Sequence, residues 1–159
     1  MERKIPSRYL PKSLTPSQRK KQLKSILEKT DRPILKDYKT RRSKWTILAS
    51  NYFGDGKTSK EDMAKILSKG NKQREKELMN AFDEIYKKAE GAYYSSGSRP
   101  STNIFQWSYA RLFSVLFGGK SRNIDKKIVE KYNVPLLKPK QKGGYILPLL
   151  IYNRLKNKK

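Results

Sequence analysis

The sequence contains no cysteine and no histidine. Without cysteine there are no disulfides and no thiolate metal sites, which suits a chain made in a reducing cytosol. Without histidine as well, zinc sites, Ser–His and Cys–His nucleophilic pairs and imidazole acid–base catalysis are all excluded. Acidic residues are scarce: 14 Asp and Glu stand against 38 Lys and Arg in 159 residues, a formal net charge of +24. Long apolar runs are missing too. The longest candidate, residues 145–152, contains Pro148 and falls short of the about 20 residues that span a bilayer. The opening Met1-Glu2-Arg3-Lys4-Ile5-Pro6 lacks the apolar stretch of a secretory signal, so none is expected there.

What the chain does have is positive charge, unevenly placed. Residues 1–44 carry 15 cations against four anions, residues 45–90 nine against eight, and residues 91–159 fourteen against two. Both ends are polycationic and the middle is nearly neutral. Such a chain repels itself and gains from an anionic partner: nucleic acid, an acidic protein surface or a charged membrane face. The length fits one domain with tails. The expected division is an extended basic arm over 1–14, a helical domain over 15–133, and a basic linker with a short terminal helix over 134–159. Pro6 and Pro11 keep the first segment out of a helix, with Tyr9 and Leu10 available to pin it. Its cations Arg3, Lys4, Arg8 and Lys12, continued by Lys20 and Lys21, form the candidate basic arm.

Cap chemistry and apolar spacing predict an all-α fold of five to seven short helices around a buried central one. Thr15-Pro16-Ser17-Gln18 is a capping box with proline at the first helical position, opening a helix whose thin apolar stripe is Leu23, Ile26 and Leu27. Trp45, Leu48, Ala49 and Tyr52 fall at helical spacing before Gly54. A second capping box, Thr58-Ser59-Lys60-Glu61, starts a helix that closes at Gly70. A longer helix begins near Asn71 and is expected to end at Gly91, and Asn123 is placed to cap 124–132, with Ile124, Ile128 and Tyr132 inward.

Residues 91–122 hold much of the aromatic surface. Glycine, serines and Pro100 predict that 91–100 is not helical. A helix should then start near Ser101–Asn103, run through Phe105, Trp107, Leu112, Phe113 and Phe117, and stop at Gly118-Gly119. Free backbone N–H groups at that start, with Ser96, Gly97, Ser98 and Arg99 beside it, could hold an anion or phosphate; alternatively serine caps and a turn satisfy them locally. Lys120 and Arg122 extend the same basic set. Arg111, four residues from Trp107, shares its helical face and is expected to be a structural clamp, stacked on the indole or bridging helix carbonyls, in preference to a phosphate contact. Tyr93 and Tyr94 beside cations are either rim residues of a core or stacking partners for unpaired bases.

Catalytic motifs do not survive the spacing test. Gly118-Gly119-Lys120-Ser121 is not a phosphate-binding loop, because the glycine that such a loop needs five residues earlier is Ser114, inside a predicted helix. Asp55, Glu61, Asp62, Asp83, Glu84, Asp125 and Glu130 mostly lie on predicted solvated faces near lysines, not in one cleft. No enzyme activity, metal, cofactor or small-molecule substrate is expected.

The run Gly91–Pro100, then Trp107-x-Tyr109-Ala110-Arg111-Leu112 and Gly118-Gly119-Lys120-Ser121-Arg122, together with the opening Ile5–Ile26, resembles an uncharacterised protein family of large DNA viruses of algae and amoebae and of tailed phages. The resemblance implies a viral origin and carries over no catalytic or binding residue. Joined to the charge pattern, it leads to two expectations. One is a non-enzymatic basic virion component, a minor capsid or internal protein made in the host cytoplasm, which links capsid or core proteins with acidic surfaces. The other is a sequence-independent nucleic-acid-binding protein, with DNA as partner, for genome packing or protection.

Overall fold

A computed structural model describes residues 4–36, 38 and 42–139. Among these the protein is all-helical, without strands. After a 3-10 turn at Ser7–Tyr9 come α1 (Pro16–Leu27), α2 (Lys44–Phe53), α3 (Lys60–Ser68), α4 (Lys72–Ser96), α5 (Ile104–Leu116), α6 (Lys120–Ile124) and α7 (Lys126–Tyr132). The expected terminal helix near Pro148 lies outside the described residues, as does Arg3.

The helix starts follow the cap residues. Thr15 Oγ1 accepts from the Gln18 N–H while the Gln18 side chain accepts from the Thr15 N–H, closing the box over Pro16. Ser43 caps α2, Ser59 caps α3, Asn71 accepts from Arg74 at the start of α4, and Asn103 with Gln106 forms a reciprocal box before α5. Each removes one or two of the unpaired donors of a helix start, worth about 1 kcal/mol apiece.

The chain divides into two compact units: residues 1–41 with 88–108, and residues 42–87 with 109–159. The second has the apolar core, built from Leu48, Phe53, Met63, Leu78, Phe82, Ile85, Leu112 and Leu116–Phe117, with Val134 and Leu137 closing it. The Leu137 N–H donates to the Leu116 carbonyl, so the stretch just past α7, expected as part of a linker, is packed. Gly118 takes φ +81 and the Gly119 N–H reaches back to Ser114 O, the left-handed stop expected at that glycine pair. A Cβ on Gly119 would land on Ser114 Oγ and 2.6 Å from the Trp45 ring, so α5 and α2 approach there only because the side chain is absent.

The first unit is held differently. Its apolar core is small, with Tyr9, Leu14, Ile26, Leu35 and Tyr93, and polar side chains complete it. Tyr9 does pin the N-terminal segment, which is packed from the 3-10 turn to Leu14 instead of standing off as an arm. Gln22, fully buried, donates to both Tyr9 O and Ser98 O. Arg32 is buried to 5% exposure and donates to Thr30 O, Tyr93 O and Ser25 Oγ, with its guanidinium 5.0 Å over the Tyr93 ring. The Tyr93 hydroxyl donates to Thr102 O and accepts from the Arg32 N–H. Burial lowers the Arg32 pKa, partly offset by Tyr93 and Asp31.

Several expectations need correcting. The segment 91–96 is helical, because α4 runs through Gly91 to Ser96 and stops where Gly97 takes φ +91. An interior glycine costs about 1 kcal/mol, and burial of Tyr93 with its two hydroxyl bonds outweighs that. On α1 the inward residues are Gln22, Ser25 and Ile26, while Leu27 is 67% exposed. The central helix α5 is buried at Ser108 and over Leu112–Leu116 and not around its whole girth; Phe105 in its first turn is 65% exposed. The segment after Gly119 forms two short helices that meet at Asp125, and Ile124 is 60% exposed, not inward.

Candidate functional site

Helix α1 presents the cations of the first unit. It contains no acidic residue, and at 100° per residue Lys20, Lys24 and Lys21 fall on one face with Ser17 between them. All three lysines are exposed, and their ammonium groups make no ion pair among the described residues. Glu28, just past the helix, pairs with none of them. Lys20 with Lys24 at i,i+4 and Lys21 with Lys24 at i,i+3 repel by about a few tenths of a kcal/mol per pair. The face therefore carries uncompensated repulsion that a bound anion would remove. Its backbone is fixed from behind by Gln22 and by Ile26, whose side chain lies against Gly97.

The other arm cations divide. Lys4 and Lys12 are exposed and unpaired among the described residues. Arg8 lies 4.8 Å over the Tyr9 ring, and Arg19, from the other side of α1, reaches Leu10 O.

In the second unit several cations are spent on the fold, while others, Lys57, Lys65, Lys76 and Lys120 among them, are exposed and make no ion pair among the described residues. Lys60 binds Asp83 at 2.8 Å, Lys131 binds Glu84 at 3.2 Å, and Lys126 pairs with Glu130 at 3.8 Å. Burial disfavours the Lys60 charge, but the Asp83 hydrogen bond and its Coulombic attraction outweigh it and raise the pKa. Arg74 donates to Tyr132 O and Asn133 O at the end of α7.

The anion-binding candidates are not brought together as a site. Ser96 ends α4 and Gly97 is the buried turn. Ser98 is fully buried, its hydroxyl donating to Arg99 O and its carbonyl accepting from Gln22. Ser101 Oγ accepts from the Leu35 N–H and donates to Tyr38 O, so it is held by a distant segment, and at the start of α5 Asn103 Oδ1 accepts from the Gln106 N–H as a local cap. Of this group Arg99 alone is an exposed, unpaired cation among the described residues of the first unit's turn. Lys120 is exposed in the second unit. Arg122 is no anion ligand, because its guanidinium turns inward onto the carbonyls of Val115, Val134 and Pro135, and burial lowers its pKa.

The Trp107–Arg111 clamp is also corrected. Trp107 Nε1 donates to Ala89 O, and its ring meets Tyr9 and Tyr93 edge-on. Arg111 instead grips Asp125, with Nε to Oδ2 at 3.0 Å and Nη2 to Oδ1 at 2.8 Å. Asp125 is fully buried, so it is not a solvated surface acid. Tyr93, at 1% exposure, is a core residue and offers no ring to a base. Tyr94 donates to Asp31 Oδ1, and that bond raises its pKa.

Sequence reasoning passed over Lys24 as a site residue, although its i,i+4 spacing from Lys20 in an acid-free helix was a legible signal. Arg32 had none, since nothing near it in the chain marks it as buried.

Among the described residues no group of three or more acidic side chains is placed to hold a metal ion, and no helix is long and apolar enough to cross a membrane. No curated protein and no solved structure matches the chain significantly. A family model does match, over residues 6–131, from the packed N-terminal segment to the end of α7, and the chain belongs to that family, a family of unknown function (DUF5824).

Proposed function

We propose that the protein is a non-enzymatic basic structural component of a virus particle. In this reading it is a minor capsid or internal protein that links neighbouring proteins with acidic surfaces through its cationic segments. The observation that carries the reading is the clustering of unpaired lysines on one face of α1. Exposed, unpaired lysines occur in both units, Lys57, Lys76 and Lys120 in the second among them, but in the first Lys20, Lys21 and Lys24 gather on one face of an acid-free helix, with Lys4, Lys12 and Arg99 also exposed and unpaired among the described residues. Unpaired cations on a fixed scaffold gain from an anionic neighbour without any reaction. The viral setting rests on the resemblance of residues 5–26 and 91–126 to a viral family. Particles stripped of genome by nuclease and washed at high salt test it. The protein should remain with the protein shell at constant copy number, and its loss with the genome would contradict the reading.

Sequence-independent nucleic-acid binding has one observation of its own in favour. Phe105 exposes 65% of its surface in the first turn of α5, a ring available for base stacking, with the exposed Arg99 six residues before it. Titration with random duplex and single strands at about 50 and about 200 mM salt tests it, since phosphate-dominated affinity falls steeply over that range. Tight single-strand binding that weakens in Phe105→Ala supports this role; negligible binding at the higher salt removes it.

A further inference from the structure

The lysine face of α1 ends in an apolar side chain that nothing in the first unit covers. Leu27 is 67% exposed, three residues from Lys24 and seven from Lys20, so it stands on the same face of the helix. We infer that this face docks an acidic protein segment carrying an apolar side chain among its carboxylates. Charge complementarity selects the acids: three ammonium groups sit within two helical turns, unpaired, with no acid in the helix.

Leu27 selects protein over nucleic acid. A phosphate backbone satisfies lysines but has nothing apolar to lay over a leucine, whereas a protein partner covers it and gains from the area removed from water. The face is also pre-ordered. The Thr15–Gln18 box fixes its start, and the Gln22 amide ties its buried side to Tyr9 O and Ser98 O. A partner therefore meets a formed helix and loses little to ordering it.

The inference rests on the reading of the first unit as an anion-docking surface, and one experiment separates the two. Two fluorescein-labelled peptides of equal negative charge are titrated by anisotropy at about 150 mM salt against the full chain. In one, leucines separate the glutamates; in the other, serines do. The leucine peptide should bind about tenfold tighter, the gain expected for covering most of one leucine. Leu27→Gln should abolish that preference and leave affinity for a random duplex unchanged. Lys20→Gln/Lys21→Gln/Lys24→Gln should weaken both peptides. All these positions are exposed, and circular dichroism confirms folding of each variant. Equal binding of the two peptides, a preference that persists in Leu27→Gln, or a duplex that outcompetes the leucine peptide overturns the inference while leaving anion docking standing. Full peptide affinity in the triple lysine variant overturns the docking reading itself.

Discussion

Removing Arg111 while leaving Asp125 in place should be among the most damaging single changes in the second unit. Asp125 is fully buried, and the Arg111 side chain is only 12% exposed. Two parallel charge-assisted bonds join them, the strongest geometry a carboxylate and a cation adopt. Arg111→Met keeps the apolar stem but strips the fork, leaving a buried carboxylate without its cation, which costs about 3–5 kcal/mol. For a domain stable by about 5–15 kcal/mol that is a large share of the total. In urea, with a slope of about 2 kcal/mol per molar, the midpoint should fall by about 2 M. Asp125→Leu combined with Arg111→Met should recover most of this, because two apolar groups replace both charges and neither is left unpaired. The cycle through the two single variants should show a coupling of about 2 kcal/mol or more. Arg111→Lys, which keeps the charge but only one contact point, should lie between wild type and Arg111→Met. A midpoint shift for Arg111→Met under about 0.5 M, or a cycle without coupling, would refute the claim that this pair holds the α6–α7 corner to α5.

Arg32→Lys should destabilise the first unit by about 2–3 kcal/mol, since one ammonium cannot serve Thr30 O, Tyr93 O and Ser25 Oγ together; faster hydrogen exchange over residues 25–35 is the readout. Gly119→Ala should lower stability by about 1–3 kcal/mol by forcing Ser114 and Trp45 apart, seen as a lower thermal midpoint and altered indole fluorescence. The Lys60 pKa is raised above its ordinary 10.5, so its contribution is complete below that pH and is lost as pH rises through the higher folded value. Asp83→Asn should accordingly cost under about 1 kcal/mol at neutral pH, a difference that disappears in melts at strongly alkaline pH.

The helix starts were legible because caps act through their own neighbours: Thr15, Asn71 and Asn103 need only the three residues that follow them, and the box expected at Thr58 falls one residue before Ser59, the cap of α3. Gly118 was legible for the same reason. The failures involve partners far along the chain. Gly91 looked like a stop because local propensity says so, yet the bonds of Tyr93 to Arg32 and Thr102 keep α4 going to Gly97. Asp125 looked solvated among its lysines until Arg111, fourteen residues away, proved to be its partner. Excess positive charge was visible in the composition, but not which cations are free. That division follows side-chain chemistry: the planar guanidiniums of Arg32, Arg74 and Arg122 each take two or three acceptors and disappear into the fold, whereas Lys20, Lys21 and Lys24 stay in water.

Amine acetylation of the lysines, read by mass spectrometry on the free protein and on intact assembled particles, tests the central claim most directly. Lys20, Lys21 and Lys24 should be fully reactive in the free protein and strongly protected in the particle, while exposed Lys76 and Lys87 change little. Equal reactivity of the α1 lysines in both states would contradict the account.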